Sequence, residues 1–134
     1  MHNRIGVVVV DDEPALRRSW EHLLNAQADL ACVGTLPTAD DLAEKLAHVN
    51  ARVVLLDISL PGADPFEAMV ELNQKALDCR VVVCTGYTDQ NTIDSAIDAG
   101  AWGFVDKLAP PSEVLNVIRR VAQGEVSFPR GMSR

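Results

Sequence analysis

Five polar side chains carry the chemistry this sequence can do, and each stands where an apolar run stops. Val7 to Val10 runs into Asp11, Asp12 and Glu13, and Val53 to Leu56 into Asp57. Val81 to Val83 leads through Cys84 to Thr85, and Phe104-Val105-Asp106 leads to Lys107. If the runs are neighbouring strands, three carboxylates, a hydroxyl and an ammonium meet in one hollow. Three carboxylates and one lysine carry a formal charge of about −2, which one divalent cation cancels. An all-oxygen donor set suits Mg²⁺, which keeps several waters and takes one or two carboxylates together with phosphate oxygens. An aspartate converted to an acyl phosphate gains roughly one more negative charge. The cation, Lys107 and the Thr85 hydroxyl would stabilise it, which is the positioning and electrostatics that phosphoryl transfer needs.

The elements between these residues must bring them together. Short continuous apolar runs bounded by polar breaks predict strands buried on both faces, and Ala31 to Gly34 supplies a fifth. Helical spacing fills the gaps: Leu16, Trp20, Leu23 and Leu24; then Leu42 and Leu46 with Ala39 and Ala43. Phe66, Met69 and Val70 begin a third stripe that reaches Leu77. Ile93, Ala96 and Ile97 make a fourth, and Val114, Val117, Ile118 and Val121 a fifth. Thr38 with Asp41 predicts a capping box, Asp64-Pro65 an N-cap followed by N1, and Pro111 another N1. Gly100 and Gly124 follow stripes as C′ residues. The result is a (βα)5 chain, which implies an α/β fold with a parallel sheet, helices on both faces and right-handed crossovers.

Parallel strands put their carboxyl ends along one edge, and ligands bind there beside the point where strand order reverses. In the order 2-1-3-4-5 that point lies between the first and third strands, so Asp11, Asp12 and Asp57 flank the crevice. A dinucleotide would need a glycine-rich turn after the first strand. Asp11-Asp12-Glu13 stands there instead and would repel a pyrophosphate.

Composition narrows the classes. A chain of 134 residues, 48% hydrophobic, supports one domain with a real core. Its net charge of −7 argues against a nucleic-acid or anionic-membrane surface. No apolar stretch approaches the roughly 20 residues of a membrane span, and the first apolar run ends in acids, so no secretory signal is read and a cytoplasmic location is expected. Cys32, Cys79 and Cys84 lack metal-ligand spacing; Cys79 and Cys84 are expected on opposite sides of one strand and read as buried small side chains. His2, His22 and His48 fall at no strand end.

The segments VVVVDDEP, LLDISLPG, VVVCTG and GFVDK, in this order, make the chain resemble a response-regulator receiver domain of two-component signalling. The resemblance implies a flavodoxin-like receiver fold, a five-stranded parallel sheet of order 2-1-3-4-5, over residues 1–124. Residues 125–134 are expected to be a tail or the start of a linker. It further implies Asp57 as phosphoacceptor, with Asp12, Asp57 and the backbone carbonyl of Ser59 holding Mg²⁺ and Asp11 acting through water. Thr85 and Lys107 would contact the phosphoryl oxygens, and Thr85 with Phe104 would form the switch. Implied partners are a sensor histidine kinase and a possible homodimer copy; DNA would be reached only through an effector domain absent from this chain. The segment KLAPPSEVLNVIRRVAQGE is similar to the last helix of receivers in LuxR/NarL-type regulators, where a linker leads to a helix-turn-helix domain.

Phe104 stands where many receivers have tyrosine, and Leu108 follows Lys107 where many have a proline in a cis bond. Tyr87 is expected to screen water from the acyl phosphate. Two rival readings are an adaptor that keeps the fold without phosphorylation, and a Mg²⁺ phosphatase with an aspartate nucleophile. The latter would want an acid two residues after Asp57, where Ser59 stands.

Overall fold

A computed structural model describes residues 4–75 and 78–129. Strands and helices alternate as β1 (Ile5–Val10), α1 (Pro14–Asn25), β2 (Leu30–Leu36), α2 (Leu42–Leu46), β3 (Val53–Leu56), α3 (Pro65–Gln74), β4 (Arg80–Thr85), α4 (Gln90–Asp98), β5 (Gly103–Asp106) and α5 (Pro111–Ala122). The sheet has five strands in the order β2-β1-β3-β4-β5, and every pairing is parallel. This is the topology expected from the alternation of apolar runs and helical stripes.

Strand alternation splits the core into two layers. Val8, Val10, Val54, Leu56, Val81, Val83 and Phe104 meet Leu42, Leu46, Met69, Leu72 and Ile93 of α2, α3 and α4. Val7, Val9, Val53, Leu55, Val82 and Val105 meet Leu24 of α1 and Val114, Ile118 and Val121 of α5. Both faces of the central strands are dry, which is why these strands read as unbroken apolar runs.

Several local expectations are corrected. β2 extends beyond Ala31–Gly34 because Thr35 and Leu36 pair with Val9 and Val10, after a register shift between Val7 and Val8 that leaves Val33 unpaired. The capping box at Thr38 does not form. α2 has five residues, and its N-cap is Asp41 in the left-handed region with φ 54°. The Thr38 hydroxyl instead accepts from the Asp40 amide at 3.2 Å. In α3 the buried face is Ala68, Met69 and Leu72, while Val70 is exposed; Leu77 lies outside the described residues, as do His2 and residues 130–134 of the tail. Cys79 precedes β4 rather than lying within it, although it and Cys84 do pack on opposite faces.

The remaining punctuation behaves as read. Asp64 accepts from the Phe66 amide at 2.9 Å with Pro65 at N1, and Pro111 opens α5. Gly100 and Gly124 take φ of 103° and 94°, the left-handed conformation that closes a helix. At the opposite end of the sheet from the strand carboxyl termini, two arginines grip the end of α5. Arg52 donates to the Ala122 carbonyl at 2.6 Å, and Arg80 to the Val121 and Ala122 carbonyls at 3.2 and 3.3 Å. Cations there satisfy orphan carbonyls and oppose the negative end of the helix dipole. Arg80 also lies 4.6 Å over the Trp102 ring. Beyond Gly124 the chain turns back along β5, where Ser127 bridges to Gly103.

Gly6 lies in β1 with the Asn50 carbonyl directly over the place a Cβ would take. Backbone here cannot move aside, so Gly6→Ala is expected to cost about 1–3 kcal/mol in urea unfolding. Gly86, with nothing near its Cβ position, should tolerate alanine without loss in the same measurement.

Candidate functional site

Four strand ends build the site, and at each a turn fixes a polar side chain. The Glu13 amide donates to Asp11 Oδ1 at 2.9 Å, and the Ser59 amide to Asp57 Oδ1 at 2.9 Å. The Tyr87 amide donates to Thr85 Oγ1 at 3.1 Å. Asp106 repeats the device, accepting from the Leu108 amide at 2.9 Å. Each is an Asx- or Ser/Thr-type turn, in which a side-chain oxygen takes the amide two residues on. One oxygen of each carboxylate is thereby occupied and the other is aimed.

The aimed oxygens converge on Lys107. Its Nζ lies 2.8 Å from Asp57 Oδ2 and 3.2 Å from Asp11 Oδ2. Asp57 is only 3% exposed and Asp11 only 4%. Burial works against the Lys107 charge, but the hydrogen bonds it donates to Asp57 and then Asp11 outweigh it and hold the ammonium well above the usual lysine range. The main chain sets the lysine as well, its amide donating to the Thr85 carbonyl at 2.9 Å.

Asp12 completes a carboxylate cluster: one oxygen from each of Asp11, Asp12 and Asp57 lies within 4.8 Å of the others. Asp12 is exposed and has no protein hydrogen-bond or ion-pair partner among the described residues. Two sequestered acids and one open to solvent make a hard, all-oxygen donor set, which fits Mg²⁺ and offers nothing to a soft metal. Burial pushes the neighbouring Cys84 thiol up to about 12 despite the opposing pull of Lys107, so it is no thiolate ligand or nucleophile. Burial likewise takes Cys79 up to about 12.

The structure thus gathers Asp11, Asp12, Asp57 and Lys107, with Thr85 beside them and fully buried. Ser59 is exposed, and its amide, which the sequence reading overlooked, holds Asp57. The signal for it was the Asp-x-Ser spacing. Phe104 is 2% exposed, inside the core layer of α3 and α4. The Lys107–Leu108 peptide is trans, and Leu108 is 89% exposed. Tyr87 is also exposed and, with Ile58, Ser59 and Phe66, lines a surface cavity of about 230 Å³.

The profile of the response regulator receiver domain matches residues 7–119 of the chain. The response regulator UvrY of Escherichia coli is 32% identical over 122 residues, covering 90% of this chain and 56% of that protein. The nitrate/nitrite response regulator protein NarL of Escherichia coli is 27% identical over 127 residues, covering 95% of this chain and 59% of NarL. The chain therefore spans less than two thirds of the length of these relatives. Among solved structures, the signal receiver domain of the putative response regulator NarL from Mycobacterium tuberculosis aligns with a TM-score of 0.86 at 24% identity, covering 92% of this chain and 99% of that one. The response regulator domain of Thermotoga maritima CheB aligns at 0.81 and 25% identity, with 92% and 99% covered.

The bridging lysine gives stability a defined pH dependence. A folded pKa raised above the unfolded value stabilises fully below the unfolded pKa, and that contribution is lost as pH rises through the folded one. The stability difference between wild type and Lys107→Met should therefore hold steady to about pH 10 and shrink above it, followed by urea unfolding.

Proposed function

The chain belongs to the response regulator receiver family, and on that premise we propose that it is a phosphorylation switch whose acceptor is Asp57. The observation that carries this is the lysine bridge: a buried carboxylate is held by Lys107 beside two further acids, one of them without a protein partner. In the proposed reaction a carboxylate oxygen of Asp57 attacks the phosphorus of a phosphohistidine on a sensor kinase. The P–N bond breaks, and the departing imidazole keeps the electron pair and takes up a proton. The product is an acyl phosphate on Asp57.

This chain's residues then divide the new charge. Lys107, already at hydrogen-bond distance from Asp57 Oδ2, meets the phosphoryl oxygens. The Thr85 hydroxyl accepts from the Tyr87 amide, which leaves its own proton free to donate to a phosphoryl oxygen. Asp11, Asp12, Asp57 and the Ser59 carbonyl would hold Mg²⁺, which when bound would offset negative charge on the transferring group. Thr85 moving toward the phosphoryl group would let Phe104 follow. Phe104 is buried at the outset and has no hydroxyl to hold it outward, so the response is a repacking inside the core layer. The α4-β5-α5 surface would then shift between two populations.

The output would be a second copy of the chain or an effector domain acting on DNA, as in transcription regulators, with the protein in the cytoplasm. No helix among the described residues is long and apolar enough to cross a membrane. Receiver domains signal rather than turn over substrate, and the proposed chemistry stops at slow self-dephosphorylation. The exposed Ser59 two residues after Asp57 is no general acid, which disfavours the phosphatase reading.

Intact mass after acetyl phosphate and Mg²⁺ should show one phosphoryl group on wild type and none on Asp57→Asn; an unmodified wild type would refute the acceptor role. By binding the native state, Mg²⁺ should also stabilise the protein by about 2.7 kcal/mol at 100 times its Kd, read as a raised unfolding midpoint, and Asp12→Ala should remove that gain. Tyr87→Ala should lose the phosphoryl group faster, by roughly two- to tenfold, if its ring shields the acyl phosphate from water.

A further inference from the structure

We infer that residues 125–129 are a detachable strap on the outer edge of β5 that reports the state of the Asp57 site through Phe104, an inference that rests on the phosphoacceptor reading above. β5 ends the sheet, and an edge strand presents unpaired amides and carbonyls. After α5, Gly124 turns the chain at φ 94° and the Glu125 amide donates to the Arg120 carbonyl at 3.0 Å. The Ser127 amide then donates to the Trp102 carbonyl at 2.8 Å, and the Phe104 amide to the Ser127 carbonyl at 3.0 Å. Arg120 Nη1 steadies the Ser127 hydroxyl at 3.3 Å.

The strap is short because of one residue. In a parallel ladder, Phe104 having donated to Ser127, its own carbonyl would next accept from residue 129. Residue 129 is proline and has no N–H, so that bond cannot form, and among the described residues the ladder has one rung. What adds to those two bonds is Phe128, half-buried against the core layer that contains Phe104. Val126 is 63% exposed and contributes little. A strap held to β5 by two backbone hydrogen bonds, with one ring and the Arg120 contacts beside them, sits at the low end of local stability, where small changes in its partner move it.

That partner is the switch residue. Phe104 holds the strap through its backbone amide, and with Phe128, Thr88, Asp106, Glu113 and Val117 it lines a groove of about 520 Å³. The groove runs from the strap to Thr88, three residues past Thr85, and to Asp106, which pairs with Thr85 across β4 and β5. Repacking of Phe104 toward Thr85 withdraws the surface under Phe128 and loosens the strap. Coupling is reciprocal, so a missing strap also changes the ease of phosphorylation.

Hydrogen exchange by mass spectrometry on the full chain tests this, with intact mass read on the same samples before and after acetyl phosphate and Mg²⁺. Phosphorylated wild type should exchange about tenfold faster in peptides covering residues 125–129, with Asp57→Asn unchanged by the same treatment. Phe104→Leu, a substitution mild enough to keep the fold, should speed the same peptides without phosphate, as should Phe128→Ala. A phosphoryl group gained with exchange at 125–129 unchanged or slower overturns the strap and leaves the acceptor role standing. No phosphoryl group gained overturns the acceptor role and, with it, the coupling to Asp57. Unchanged exchange in Phe104→Leu overturns the link to Phe104 whatever the mass shows.

Discussion

One ammonium makes this site possible. Two carboxylates almost out of contact with water would each carry a large desolvation penalty and would repel one another. Lys107 between Asp57 and Asp11 answers both problems with a single charge. The arrangement is under-compensated by design of its charges: two buried acids face one cation, and Asp12 adds a third acid at the rim. Charge balance in such a site favours a further positive charge from outside.

The fold supplies the convergence through topology and parity. Strand order places the ends of β1 and β3 side by side, at the switch point where parallel sheets of this kind bind ligands. Counting by twos from the core, Asp11 follows Val9, Asp57 follows Leu55 and Lys107 follows Val105, all on the layer packed by α1 and α5. Thr85 follows Val83 and so belongs to the opposite layer, with Phe104. The ion-bridged groups and the Thr85–Phe104 pair thus follow opposite faces of one sheet. A change around Thr85 would reach the α3–α4 layer without disturbing the packing beneath Asp57.

Much of this was legible in the sequence because the strands are buried on both faces. Unbroken runs such as Val53–Leu56 have no other reading, and each ends in a polar residue that geometry must place at the rim. Proline at N1 and glycine at C′ marked helix ends because they act through local backbone conformation alone. Where neighbours decide, the reading failed. Thr38 had the right spacing for a cap, yet tertiary packing of Leu42 and Ala43 set the start of α2 three residues later. Thr35 and Leu36 carry no strand signal of their own and are drafted by pairing with β1. The double pairing of Lys107 could not be read, since it depends on which oxygen each turn leaves free. Neither could the return of Ser127 to β5, a contact between segments with no shared pattern.

The arginine grip on α5 has a mechanical consequence. Arg52 and Arg80 fasten the last carbonyls of the helix to the starts of β3 and β4, far from Lys107. A rod anchored at its tail pivots there, so any push at its Pro111 end swings it as a lever about that fulcrum instead of sliding it. Because Gly124 lies beside the fulcrum, the origin of the following segment stays put while the rod tilts. Displacements arising near Lys107 would in this way be turned into angle rather than translation.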